Sequence, residues 1–215
     1  MKLPWQNKKS IPLLSPLEGY DEWASVYSEE SNPIKNLSDA TIKKLLPDLK
    51  NKSVLDAGCG TGYFCHVAHA LGASIVTGLD LSPRMIEKAK INCPAAELHC
   101  ADITKEPIGK TFDIVIFALV LGHIEDLKPV LANIASALKP GGTLLMSDFH
   151  PFLTLRHAKR TFKTSSGKLF EIQHHLHLFQ DIIQNLHEHN VMLDKLEEPL
   201  WEDEPVIYAL RAIKQ

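Results

Sequence analysis

The chain is 215 residues long, and its 45% hydrophobic and 23% charged residues are ordinary globular values that exclude disorder as the default state. This length fits one domain, with room for modest additions around a single core. The formal net charge of −3, from 23 Lys and Arg against 26 Asp and Glu, argues against a nucleic-acid partner, which needs a basic face to neutralise phosphates.

At the amino end, Met1–Ser10 carries Lys2, Lys8 and Lys9 with no apolar run behind them. Pro4, Pro12 and Pro16 break up the first sixteen positions, so neither a signal peptide nor a membrane span is expected. An aromatic segment with Tyr20, Trp23 and Tyr27 comes next, and then helical spacing around Ile42, Leu45 and Leu46. Cys59, Cys65, Cys93 and Cys100 lack the paired short spacing of zinc or redox sites and read as reduced thiols of a cytoplasmic protein.

From Ser53 onward, β-rich runs alternate with helical patterns. Ser53–Ala57, Ser74–Asp80 and Ala96–Ala101 are the first three strands; Phe112–Ala118, the most continuous apolar run, is a central strand buried on both faces. Gly142–Ser147 is the fifth. This alternation predicts a parallel sheet with right-handed crossovers. Between the strands, Val67, Ala68 and Leu71 belong to a helix that Gly72 ends, and Ser82-Pro83 opens another with a capping serine and a first-turn proline. Leu127, Val130, Leu131, Ile134 and Leu138 mark one buried helix face, capped by Asp126 and ended by Pro140-Gly141-Gly142.

After the fifth strand, the basic cluster Arg156, Lys159, Arg160 and Lys163 reads as a solvated face. His175 and His177 share one face of an expected strand, and His187 and His189 lie in or after the next helix, whose Ile182, Ile183 and Leu186 face the core. Neither carboxylate nor cysteine stands at ligand spacing to complete a site with these histidines, so no metal centre is expected. Val191–Glu197 and Pro205–Ile213 read as two further strands.

The chemistry concentrates in Val54–Gly62, at a strand-to-helix turn. Gly58, Gly60 and Gly62 allow a sharp turn and close approach of a ligand, which in such folds lies outside the carboxyl ends of the strands. Asp56 precedes the first glycine, and Asp80 ends the second strand, where an acid can accept both hydroxyls of a ribose. The dinucleotide fingerprint needs a third glycine three positions after the second, but Tyr63 stands there, and Asp56 would repel a pyrophosphate. An acid at the turn suits instead a ligand carrying an ammonium and a sulfonium.

These motifs resemble the class I S-adenosylmethionine-dependent methyltransferases over roughly residues 20–215, and in particular their small-molecule branch (methyltransferase type 11, ubiquinone- and biotin-pathway-like). The resemblance implies an α/β fold: a doubly wound, mostly parallel seven-stranded sheet with an antiparallel last strand and an N-terminal helical lid. It divides the chain into a lid extension at 1–50, a cofactor core at 51–150, a substrate-side lid insertion at 151–190 and the last two strands at 191–215.

It implies S-adenosylmethionine as cofactor, with Asp56, Gly58, Cys59, Gly60, Thr61 and Gly62 around its methionine part and Asp80 on the ribose. Leu81 and Met85 flank the adenine, Ala101, Asp102 and Ile103 lie at its amino edge, and Ala118, within Phe117–Leu121, lies beside the transferable methyl. Tyr20 and Tyr27 close the lid over the cofactor. The acceptor is expected to be a small molecule near Trp23, His123, His150, His175 and His177, with His150 and His123 as bases if the nucleophile arrives protonated. Acceptor atom and oligomeric state stay open, as do two alternatives: a non-catalytic module that binds the cofactor, and a nicotinamide-dependent oxidoreductase.

Overall fold

The structure, a computed structural model, describes residues 11–27 and 32–215, so the reading of Met1–Ser10 falls outside the described residues. In chain order the elements are β1 (Leu13–Leu14), α1 (Pro16–Trp23), α2 (Pro33–Leu45), β2 (Ser53–Ala57), α3 (Tyr63–Ala70), β3 (Ile75–Asp80), α4 (Pro83–Asn92), β4 (Glu97–Cys100) and β5 (Phe112–Ala118). They continue with α5 (Leu127–Ser136), β6 (Leu138–Phe149), α6 (Pro151–Leu155), β7 (Thr161–Lys163), β8 (Leu169–Ile172), α7 (Phe179–Glu188), β9 (Val191–Glu197), β10 (Leu200–Trp201), β11 (Glu204–Pro205) and β12 (Ile207–Lys214).

One seven-stranded sheet, in the order β4-β3-β2-β5-β6-β12-β9, forms the centre. β2 to β6 run parallel, and β12 is antiparallel to both of its neighbours, β6 and β9. The chain winds outward through β2, β3 and β4, then returns to lay β5 against the other side of β2. That reversal is a topological switch point, which opens a crevice at the carboxyl ends of β2 and β5.

The sheet is apolar on both faces because helices cover both. Val115, Phe117, Leu144 and Met146 pack with Val130, Leu131 and Ile134 of α5 and with Ile182 and Leu186 of α7. Ile114, Ile116 and Leu145 face the opposite way, toward Ile42 and Leu45 of α2 and Ile86 and Ala89 of α4. α2 therefore belongs to the layer covering the sheet, and the element lying over the switch point is α1. A smaller sheet, β1-β8-β7, supports that lid: Trp23 stacks on Phe162 at 5.0 Å, and Phe162 on Phe170 at 5.7 Å.

Two local expectations are corrected. The helix around Leu131 ends at Ser136, not at Pro140-Gly-Gly142, because the Phe112 N–H donates to the Ala137 carbonyl at 2.8 Å and draws the chain to the sheet. Leu138 then pairs with Phe112, and the Pro-Gly-Gly run becomes an irregularity within β6, where Gly141 has a φ of +73°. Residues 173–178, read as strand around His175 and His177, have no regular structure. Their backbone instead ties locally to the loop after β5, with the His175 N–H donating to the Gly122 carbonyl at 2.7 Å.

Candidate active site

At the switch point the loop after β2 turns back on itself. The N–H groups of Gly58 and Cys59 both donate to the Leu79 carbonyl, at 2.7 and 2.8 Å, which pins the loop to the end of β3. Gly58 has a φ of +77°, and a Cβ there would overlap Val120 Cγ2, so only glycine fits between β2 and the end of β5. Gly60 has a φ of +52° with nothing within 4 Å of its missing Cβ, leaving open space for a ligand against the backbone.

Asp80 closes the other side of this loop. Its Oδ2 accepts the Gly60 N–H at 2.8 Å and its Oδ1 the Ser82 N–H at 2.9 Å. Each carboxylate oxygen can accept a further bond, so two hydroxyls on adjacent carbons fit this acceptor. Burial raises the Asp80 carboxyl above the usual carboxylate range against the pull of those two amides. Asp56, 2% exposed, is pushed up to about 7, chiefly by burial and further by Asp80 and Asp39, against its bonds from Cys65. Burial also raises Asp39, though Lys35 Nζ donates to it at 2.7 Å. Three desolvated carboxyls around one glycine loop favour a ligand that brings positive charge.

The loop borders a cavity of about 450 Å³, within the usual range of about 300–1,000 Å³ for ligand sites. Gly58, Gly60 and Asp80 form one wall, and Leu81, Ala101, Asp102 and Ile103 a second. Ala118, Leu119 and Val120 form the floor beneath the lid residues Tyr20 and Tyr27. The Asp102 carboxyl is held by the Thr104 N–H and hydroxyl, at 3.0 and 2.6 Å, and by Lys105 at 2.7 Å. Leu119 adopts a φ of +60°, unusual for a residue with a branched side chain, and its N–H is fixed by the Ser147 carbonyl at 2.7 Å.

Tyr20 and His123 join the lid to the floor. The His123 Nδ1–H donates to the Gln173 carbonyl at 2.9 Å, which leaves Nε2 as the acceptor of the Tyr20 hydroxyl at 2.9 Å. Burial first, and then the Arg160 guanidinium, hold His123 down to about 4, so the ring is neutral at physiological pH. Burial likewise raises the Tyr20 hydroxyl well above its ordinary value. The lid is fastened by a hydrogen bond from the Ser82 hydroxyl to Asp21.

Of the residues anticipated for the cofactor, Gly58, Gly60, Asp80, Leu81, Ala101, Asp102, Ile103, Ala118, Tyr20 and Tyr27 line this cavity together. Asp56, Cys59 and Met85 are buried behind it, and Thr61 and Gly62 line an adjoining depression with Lys35, Tyr63 and His66. Of the acceptor set, His123 lines the cavity, and Trp23 lines a smaller space beside it.

His150 is directed elsewhere: it caps α6, with Nδ1 accepting the Phe152 N–H at 3.1 Å and Nε2 bonded to Glu198 at 2.8 Å. His177 Nε2 donates to the Ile124 carbonyl at 2.7 Å, and the His175 and His177 rings stack at 6.5 Å. Among the described residues no group of three or more His, Cys, Asp and Glu is placed to hold a metal ion.

Two features escape the sequence reading. Asp21, acting through Ser82, is reached across 61 residues with no local pattern to announce it. Arg160, grouped with solvated neighbours, is 9% exposed and donates to Asp148 at 2.8 Å. Only the Ser147-Asp148-Phe149 end of a buried strand hinted that a cation would be needed nearby.

A family model described as a methyltransferase domain matches residues 32–191, more than half of the chain. An uncharacterized protein of Haemophilus influenzae is 26% identical over 220 residues, covering 86% of each chain. A ubiquinone biosynthesis O-methyltransferase of Coxiella burnetii is 39% identical over 106 residues, which cover 46% of this chain and 44% of that enzyme. Among solved structures, an S-adenosylmethionine-dependent methyltransferase assignment from Listeria monocytogenes superposes with a TM-score of 0.72 at 26% identity, covering 82% of this chain and 97% of that one.

Proposed function

This chain belongs to the methyltransferase-domain family, and we propose that it moves a methyl group from S-adenosylmethionine to a small molecule lodged between α1 and the carboxyl ends of β5 and β6. The observation that carries this reading is the Asp80 carboxylate, held by the Gly60 and Ser82 N–H groups on the wall of the switch-point cavity. The cluster of desolvated acids supports it too, since a sulfonium and an ammonium relieve what a pyrophosphate would worsen. The nicotinamide alternative therefore falls to the family match and to this charge.

When bound, the cofactor supplies a methyl already activated on sulfur, so the protein's task is mainly to align the nucleophile about 3–3.5 Å away. Asp80 accepts from the ribose, while Leu81, Ala101 and Ile103 form an apolar slot for the flat base. Ala118, Leu119 and Val120 shape the floor where the acceptor meets the methyl. For a hydroxyl acceptor, the Tyr20 oxygen takes the proton while Tyr20 passes its own to His123 Nε2. His123 is a weak base at rest, but an oxygen that has just been methylated while still protonated is acid enough to drive the transfer. His150, with both nitrogens engaged, has no part in this relay.

The division of labour we infer assigns 51–150 to the cofactor and the α1 part of 1–50, with 151–190, to the acceptor side; 191–215 complete the sheet. We place the protein in the cytoplasm on its cysteines, of which Cys59, Cys65 and Cys93 are buried free thiols, and expect no nucleic-acid partner at a net charge of −3.

Calorimetric titration with S-adenosylmethionine, with NAD as control, tests the reading. Binding of the first alone is expected, and Asp80→Ala should weaken it about tenfold or more, since hydrogen bonds to charged groups are worth about 1.5–3 kcal/mol. Binding of NAD alone, or an Asp80→Ala protein that holds S-adenosylmethionine as tightly as before, would overturn it. Tight binding without turnover of hydroxyl, amino or carboxylic acceptors would favour a non-catalytic module.

A further inference from the structure

Beside the main cavity, across the Tyr20–His123 pair, lies a second space of about 160 Å³. It is too small for a whole ligand, whose sites usually run to about 300 Å³ or more, so it suits one substituent or ring reaching past the methyl. Leu119, Tyr20 and His123 line both spaces, which makes them neighbours on one path. The far wall carries Trp23, Phe149 and Arg160.

Arg160 is built into this wall. Its Nη2 donates to Asp148 Oδ1 at 2.8 Å, and its guanidinium lies 4.2 Å from the Phe149 ring centre. It also lies so close to Gly122 that a Cβ there would overlap Nη2. Asp148 is well supplied, because its oxygens also accept the Gly122 N–H at 2.7 Å and the Phe149 N–H at 2.6 Å. Arg160 is not: its Nη1 is buried and has no hydrogen-bond partner among the described residues.

A merely structural anchor for Asp148 accounts for Nη2 and leaves Nη1 unexplained, and buried polar groups without partners are uncommon. The other cations bordering the space, Lys35 and Lys159, are paired with Asp39 and Glu171.

We propose that this annex seats a carboxylate on the methyl acceptor, recognised by the Arg160 guanidinium, and so that the acceptor is a planar or aromatic carboxylic acid. The proposal rests on the main cavity being the cofactor site, since only then does the annex open beside the transferred methyl. Guanidinium matches carboxylate geometry and stays charged, so it discriminates an acid from its amide. The rings of Tyr20, Trp23 and Phe149 favour a flat partner for the same group.

The test uses the full chain saturated with S-adenosylhomocysteine and titrated with benzoate and, separately, with benzamide. Benzoate should bind about tenfold or more tightly than benzamide, and Arg160→Gln should bring the two within about twofold. Should that variant fail to fold, Asp148→Asn combined with Arg160→Gln removes both charges together and is expected to give the same result. Equal affinities, no binding of benzoate, or a preference that survives loss of Arg160 while S-adenosylhomocysteine still binds would overturn the annex alone. Failure of the unaltered protein to take up S-adenosylhomocysteine would instead bring down the cofactor reading, and the annex with it.

Discussion

Asp56 and His123 show how burial sets the chemistry one residue at a time. Asp56 is raised to about 7, so folding favours its protonated form. Its stabilising contribution is complete below its unfolded pKa, near 4, and is lost as pH rises through 7. Asp56→Asn should therefore raise the melting temperature of the ligand-free protein at about pH 8 by roughly 2 °C or more, and have little effect at about pH 4. A lower melting temperature at the higher pH would contradict the burial argument.

His123 is displaced the other way, down to about 4. The unfolded chain then binds its proton first, so stability is fully present above about 6.5 and falls as pH drops from there toward 4. Because the ring is already neutral, His123 should add no inflection to kcat for a hydroxyl acceptor near about pH 6.5; an inflection there that persists in Asp56→Asn would show a freely titrating base instead. Tyr20→Phe removes the hydroxyl bonded to His123, through which the proposed relay would run. It should lower kcat about a hundredfold while S-adenosylmethionine affinity, read by calorimetry, changes much less.

The lid is the element on which these residues depend. α1 begins with a reciprocal cap, in which the Ser15 N–H donates to Glu18 Oε2 at 3.0 Å and the Glu18 N–H to Ser15 Oγ at 3.4 Å. It rests on β8 through Gly19, where a Cβ would come within 2.8 Å of Ile172 Cγ1. Gly19→Ala should tilt α1 off β8, weaken cofactor binding several-fold and speed amide exchange in residues 11–27, while the strands of the main sheet stay protected. Uniform loss of protection would mean that the lid and the core unfold as one. In the sequence Pro16 reads only as a break, and the Ser15 cap that it follows goes unrecognised; the seat on Ile172 spans 153 residues and leaves no local pattern.

Across the whole molecule, one apolar sheet with both faces covered supplies the rigidity and the switch point supplies the site. A ligand that touches the Gly58–Gly62 loop, the end of β3 and α1 together adds to the bonds that already join them. At a hundredfold excess over its Kd, S-adenosylmethionine should stabilise the protein by about 2.7 kcal/mol, raising the melting temperature by roughly 5–10 °C. NAD at the same concentration should leave it unchanged. A shift with NAD would place the wrong ligand in the crevice.

What is local in the chain was legible from its residues alone. Apolar runs set the strands from Ser53 to Ala118, Ser82-Pro83 and Asp126 set two helix starts, and the glycines of the Asp56–Gly62 turn with Asp80 set the shape of the switch-point wall, since each depends on backbone preferences within a few residues. Where a neighbouring strand competes for the backbone, local reading failed, as at Leu138, which the Phe112–Ala137 bond pulls from helix into sheet. Tertiary structure alone decided which histidine meets the cavity. His123 and His150 both follow carboxyl ends of strands, yet one is held at the cavity by Tyr20 and Gln173 and the other away from it by Phe152 and Glu198. It alone also decided that Arg160, among solvated lysines in the chain, is the buried partner of Asp148. Distant groups choose these outcomes by satisfying hydrogen bonds that burial would otherwise leave unmade, and a residue's own neighbours in sequence carry no record of them.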